Sequence, residues 1–166
     1  MKRTARISTG DMPLLLLLDN NILSKVLRPE LSENKPVADA ISRLQGNPRL
    51  RIYVPEIVDY EIRRKLLHLG YRQRQTRKWA REALFDLDKW VSIGYIPLTT
   101  KALRLAADIW AQTRATGQLR GPEDRLDVDV ILAAQARQAG GRILTTNAKH
   151  FRNIAEVFDW KTVPGA

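Results

Sequence analysis

The chain has 166 residues, enough for one domain with an ordinary buried core and too few for two independent ones. Its 44% hydrophobic and 28% charged residues exclude a disordered chain, and the lack of cysteine excludes disulfides, thiolate metal sites and a cysteine nucleophile. A formal net charge of +10 points to an anionic partner, nucleic acid first, and the cytoplasm is the default compartment.

Residues 1–11 are polar and carry no apolar period, so a disordered N-terminal extension or a start-codon artefact is expected there, with a single domain over 12–166. Leu14 to Leu18 is too short for a signal h-region or a membrane span, although Lys2, Arg3 and Arg6 superficially resemble an n-region. It reads as a strand buried on both faces that ends in a carboxylate, Asp19. A helix from Asn20 to Leu27 is stopped by Pro29, and Pro36 opens a second helix that ends at Gly46-Asn47-Pro48. Leu50 to Val54 is the second strand. Pro55-Glu56 opens a helix with Val58, Ile62, Leu66 and Leu69 on one face, and Gly70 is its expected stop.

A further helix over about 73–91 turns Trp79, Ala83, Leu87 and Trp90 inward, Tyr95 to Leu98 is a short strand, and Thr99 or Thr100 caps a helix that runs to Thr116. Gly117 to Leu126, with two glycines, a proline and several charges, is the expected mobile loop. A helix from about Asp127 to Ala139, a strand from Arg142 to Thr146, a short helix from Asn147 to about Ile154 and a strand near Val157 to Trp160 complete the chain. Alternating strands and helices imply a three-layer α/β/α sandwich with a mainly parallel sheet, whose ligand sites lie outside the carboxyl ends of the strands.

That rule singles out Asp19. A carboxylate at the end of an apolar strand is costly to bury without a partner or a cation, so the metal reading is favoured over a helix N-cap. Glu61 lies beside the apolar face of its helix and can reach the sheet edge; an exposed pair with Lys65 is an equally good account of it. Asp127 and Asp129 lie roughly 200° apart around a helix and cannot both face one ion. The stripe Leu132, Ala133, Ala136 and Gly140 continues from Asp129, which is therefore expected inward, with Asp127 as an N-cap or secondary ligand. Asn147 can cap the last helix or offer its amide oxygen to a hydrated ion, the cap being favoured, and Thr145 supplies a hydroxyl nearby.

His68 and His150 lack the paired spacing of a zinc site, and no nucleotide-binding glycine motif or hydrolase serine motif occurs. Arg63, Arg64, Lys65, Arg72, Arg74, Arg77, Lys78 and Arg81 fall in one stretch without an acidic residue. All but Lys65 are singled out as phosphate-backbone contacts; the plainer account is a solvated helix face or a dock for an acidic protein.

Taken in order, these pieces resemble the PIN-domain ribonucleases, in particular the VapC type of toxin from bacterial type II toxin–antitoxin systems. LLLLLDNNILSKVL is similar to the family's first strand and its aspartate start, with Asp19 and Asn21 at matching places and Asn20 where threonine or serine is usual. VPEIVDYEIRRKLL resembles the second motif and places its glutamate at Glu61. DVILAAQARQAGGRILTTNAKHF resembles the third, with Asp129, Thr145, Asn147 and Phe151 matching. The resemblance spans residues 12–160. It implies that Asp19, Glu61 and Asp129 ligate Mg²⁺ or Mn²⁺, and that Asn147 stands where many members carry a fourth acid. It further implies an RNA substrate, catalytic roles at Asp19, Glu61, Asp129, Asn147 and Thr145, homodimerisation, and inhibition by a cognate antitoxin whose C-terminal segment fills the groove. The rivals are a catalytically silent RNA-binding or protein-binding module of the same fold and a response-regulator-like acidic pocket, for which no convincing lysine is found.

Overall fold

A computed structural model describes residues 12–72, 74–117 and 123–163. The expected extension, residues 1–11, and residues 118–122 of the expected loop lie outside them. Five strands, β1 (Leu14–Leu18), β2 (Leu50–Pro55), β3 (Tyr95–Ile96), β4 (Arg142–Thr145) and β5 (Val157–Asp159), form one sheet in the order β3-β2-β1-β4-β5. Every neighbouring pair is parallel, with Leu14 opposite Leu50 and Leu16 opposite Arg142 on the two sides of β1. Central placement explains the five leucines: Leu16, Leu17 and Leu18 are fully buried, as a strand covered on both faces requires.

Six helices, α1 (Asn20–Val26), α2 (Lys35–Gln45), α3 (Glu56–Arg72), α4 (Arg77–Ile93), α5 (Thr100–Ala115) and α6 (Glu123–Ala139), cover the sheet in the expected α/β/α arrangement. None of the described helices is long and apolar enough to cross a membrane. From β1 the chain builds outward to β2 and β3, then returns to the other side of β1 for β4 and β5. The strand order therefore reverses between β1 and β4, the position at which an α/β sheet opens a crevice at its carboxyl edge.

Several boundaries depart from the sequence expectation. Helix α3 continues through Gly70 to Arg72, and Gly70 faces Ala80 of α4, where a Cβ would stand at an ordinary contact distance of 3.7 Å from the alanine methyl. The carbonyls at the helix end are taken up by Thr76 Oγ1, 2.9 Å from the Leu69 oxygen, and Arg77 Nε, 3.4 Å from that of Gly70. Helix α6 begins at Glu123, a turn before Asp127, so Asp127 is an exposed residue within the helix and not its cap. The expected helix at 147–154 is a 3₁₀ turn over Ala148–Phe151, and β3 stops at Ile96.

Helix α6 is buried on two sides, against α5 and against the sheet, so Val130 and Ala134 are covered along with Leu132, Ala133 and Ala136. Buried Gln135 ties three elements together: its amide nitrogen donates to the Ile96 oxygen at 2.9 Å and its carbonyl accepts from the Ile57 N–H at 3.4 Å. Of the aromatic residues on α4, Trp79 and Trp90 pack half-buried on the core while Phe85 is exposed.

Gly140, at φ 66°, closes α6 in the left-handed region, and Gly141 returns its N–H to the Ala136 oxygen at 2.9 Å. A Cβ on Gly141 would stand 2.5 Å from Leu17 Cδ1 and 3.1 Å from Leu15, both on the packed central strand. Gly141→Ala is expected to destabilise the protein by about 1–3 kcal/mol, the usual cost of overpacking, read as a lower midpoint in urea with an unchanged m-value. An unshifted midpoint would show that β1 yields at no cost.

Candidate active site

Three elements deliver one carboxylate each to the crevice. Asp19 follows β1, its N–H donating to the Leu144 oxygen of β4 at 3.0 Å; Glu61 stands in the second turn of α3; Asp129 projects from α6. With Asn20, Asn21, Ser24, Arg64, Lys65, Val128 and His150 they line a cavity of about 560 Å³. A larger recess of about 690 Å³, bounded by Leu14, Gly141 and Arg142, lies at the amino ends of β1 and β4, the edge at which parallel sheets do not place their sites.

Asp19 is buried and double-anchored. Its Oδ1 accepts from the Asn20 N–H at 2.6 Å, so it does cap α1, and its Oδ2 accepts from the Thr145 hydroxyl at 2.7 Å. Capping and lining the cavity prove compatible, because one oxygen serves each direction. Burial pushes the Asp19 carboxyl above its ordinary range; the Thr145 and Asn20 hydrogen bonds oppose that rise without cancelling it. The Asp129 carboxyl is pushed up to about 6, first by burial and then by the negative charge of Asp19.

Around Asp19 runs a compact polar network. Thr145 Oγ1, fully buried, also accepts from Asn21 Nδ2 at 3.2 Å and from the Asn147 N–H at 3.0 Å, while Asn21 Oδ1 accepts from the Thr146 N–H at 3.1 Å. Asn20 Nδ2 donates to Glu61 Oε2 at 2.5 Å, and Lys65 Nζ lies 2.7 Å from Glu61 Oε1. Glu61 thus makes the lysine pair and faces the cavity at once.

The other residues singled out in the sequence are placed as follows. Thr145 stands behind Asp19, outside the lining. Asn147 meets the network only through its N–H, caps nothing with its side chain and does not line the cavity. Asp127 is turned away toward Leu103, Ala106 and Trp110 of α5. Arg64 lies on the cavity wall; Arg63, one residue earlier, is engaged with Asp59 at 2.8 Å and with Asp88 of α4 at 2.7 Å. Lys78 lies 3.9 Å from Glu82, and Arg77 and Arg81 border a separate cleft between α3 and α4, whereas Arg72 and Arg74 are exposed.

Among the lining residues to which the sequence assigned no site role are His150 and Asn20. His150 brings Nδ1 to 3.9 Å from Asp129 Oδ2, a position set by the 3₁₀ turn that buries Phe151 beside it. Asn20 reaches across to Glu61, 41 residues away. Its departure from the usual threonine or serine was visible in the sequence; its partner was not.

The PIN domain family model matches residues 16–157. Among solved structures, VapBC2 from Rickettsia felis bound to a promoter DNA fragment is 16% identical, with 87% of this chain and 98% of that one covered at a TM-score of 0.66. FitAcB from Neisseria gonorrhoeae is 20% identical, covering 89% and 99% at 0.65. VapBC-1 from nontypeable Haemophilus influenzae is 16% identical, covering 90% and 100% at 0.65. No curated protein matches the sequence. With the family model spanning most of the chain, from the central strand β1 to the start of β5, the chain belongs to the PIN domain family.

Proposed function

We propose that this chain is a Mg²⁺- or Mn²⁺-dependent endoribonuclease and the toxin of a toxin–antitoxin pair. The observation that carries the reading is the convergence of Asp19, Glu61 and Asp129, from three separate elements, on one open cavity. The donor set suits a hard divalent ion, being carboxylate oxygen throughout, and burial holds the Asp19 and Asp129 carboxyls above their ordinary range, a cost to their charged forms that a bound cation would relieve. As the side chains stand, no three acidic or histidine groups among the described residues are close enough to share an ion. Glu61 is held back by Asn20 and Lys65, so ligation involves exchange of those hydrogen bonds.

A divalent ion in this cavity would supply Lewis acidity toward water and the phosphate oxygens. The chain's own residues do the rest. Thr145 and the Asn20 N–H hold both oxygens of Asp19 in fixed directions, and Asn21 braces the β4 edge behind them. Arg64 on the wall binds phosphate oxygens of the strand entering the cavity, with Arg72, Arg74, Arg77 and Arg81 offering further positive charge along α3 and α4. Cleavage of phosphodiester bonds in RNA then follows by in-line attack of water.

The antitoxin would lie along a groove that continues from the cavity past Ser24 and Lys65 to an apolar pocket under Trp79, whose ring carries the Arg28 guanidinium at 4.5 Å. Homodimerisation and cytoplasmic residence belong to the same reading.

The test is cleavage of a mixed RNA pool by wild type and by Asp19→Ala in Mg²⁺, Mn²⁺ or EDTA. Cutting that needs the ion and falls at least about 100-fold in the variant is the expected result. Equal behaviour in every condition would replace the enzyme with a silent binding module.

A further inference from the structure

We infer that the outer face of α3 and the α3–α4 cleft form a base-stacking track that guides an unpaired stretch of RNA to and from the carboxylate cavity. This rests on the nuclease reading above and goes beyond it in assigning a surface, its residues and the strandedness it selects.

Tyr60 and Arg64 are one helical turn apart on the exposed face of α3, and the Arg64 guanidinium sits 5.4 Å over the Tyr60 ring. Arg64 lines the cavity yet forms no ion pair among the described residues; its neighbours Arg63 and Lys65 are both engaged by carboxylates. A cation held by an aromatic ring beside the candidate site remains available for a phosphate, with the ring's other face open.

The same face continues to Leu67 and Tyr71, 42% and 84% exposed, an unusual exposure for side chains with this much apolar surface. Both border a cleft of about 370 Å³ between α3 and α4 with an apolar floor of Leu66, Ala80 and Leu84 and with Arg77 and Arg81 at its edge. Gly70 and Ala80 face each other across the two helices within the same lining. Tyr60 and Tyr71 are separated by eleven residues of helix, about 16 Å.

Aromatic faces alternating with cations that lack carboxylate partners are what a single strand requires: bases stack, phosphates are neutralised. A duplex hides its base faces and cannot use Tyr60 or Tyr71. A protein helix would profit from aliphatic side chains along the seam, and only Leu67 is exposed there. The α3 face therefore favours unpaired RNA.

The test is fluorescence anisotropy of a labelled heteropolymeric RNA 12-mer, single-stranded or annealed to its complement, against the full chain carrying Asp129→Asn to prevent cutting. Tyr60→Ala with Tyr71→Ala is expected to weaken single-strand binding at least tenfold and leave the weaker duplex binding within twofold, and Phe at both positions is expected to restore it. Arg64→Gln with Arg81→Gln is expected to lower the salt slope instead, by about 0.7 for each phosphate no longer neutralised. Single-strand affinity unchanged within twofold in the double alanine variant, no recovery with phenylalanine, or an altered oligomeric state in place of altered affinity would overturn the track. Failure of wild type to cut any RNA, with these binding effects intact, would instead remove the nuclease reading and leave the track standing.

Discussion

Asp129→Asn is expected to abolish metal-dependent cleavage and at the same time to stabilise the metal-free protein at neutral pH. The carboxyl is about a quarter exposed and is pushed up from 3.8 to about 6, chiefly by burial and then by Asp19. Since the folded-state value is raised, Asp129 favours folding fully below pH 3.8, where it is neutral in both states. That contribution is lost as pH rises through about 6, where the fold must hold a charge that the unfolded chain solvates freely. A rise of this size corresponds to roughly 3 kcal/mol as a ceiling, which would raise the melting temperature by about 5–10 °C at pH 7.5 in EDTA.

The gain should shrink through pH 6 and vanish near pH 4. Mg²⁺ or Mn²⁺ should stabilise the wild type and leave Asp129→Asn where it is, because a ligand that binds only the folded state raises its stability by mass action. Melting curves at three pH values, with and without the ion, contain the whole test. A variant less stable than wild type at pH 7.5 would mean that Asp129 is already matched by a cation and that the cavity carries no unbalanced charge.

Thr145→Val should separate the support of the site from its ligands. The substitution conserves volume while removing a fully buried hydroxyl that donates to Asp19 Oδ2 and accepts from the Asn21 side chain and the Asn147 N–H. Two part-buried donors then lack their acceptor and a buried carboxylate loses its donor, at about 1–3 kcal/mol for each group that water cannot reach. A loss on the order of 3 kcal/mol is expected. The Asp19 carboxyl should rise further, since the Thr145 hydrogen bond now holds it down.

Because Asp19 would be ionised less readily and oriented less firmly, Mn²⁺ affinity measured by calorimetry should fall about 10- to 100-fold, the range typical of lost outer-shell support for a ligand. Thr145→Ser keeps the hydroxyl and should restore affinity even if its missing methyl leaves some stability behind. Wild-type affinity in Thr145→Val would confine the residue to a structural role, and failure of serine to rescue would assign the effect to packing.

Much of the architecture could be read from local chemistry. Five leucines ending in an aspartate are unambiguous as a doubly covered strand, and periods of 3.6 residues mark α2, α3 and α5 because their buried faces follow one stripe. Asp19 and Asp129 were tied to a strand end and a helix stripe, whereas Glu61 stood even between the cavity and a pair with Lys65 until the family resemblance was added; all three line one crevice.

Features set by contacts between distant segments were not legible. Gly70 looks like a helix stop, yet α3 runs through it to Arg72 with Thr76 and Arg77 meeting the carbonyls at its end, and α6 hides a second buried stripe because α5 covers the side that would otherwise face solvent. Arg63 was grouped with the candidate phosphate contacts, and Asp88, which together with Asp59 neutralises it, lies 25 residues away on another helix. His150 has no motif spacing to announce it; the turn that packs Phe151 places it beside Asp129. Periodicity and strand-end chemistry depend on near neighbours in the chain and survive in the bare sequence. Charge pairing, helix packing and the Thr145 network depend on which remote groups exclude water together, and only the folded chain decides that.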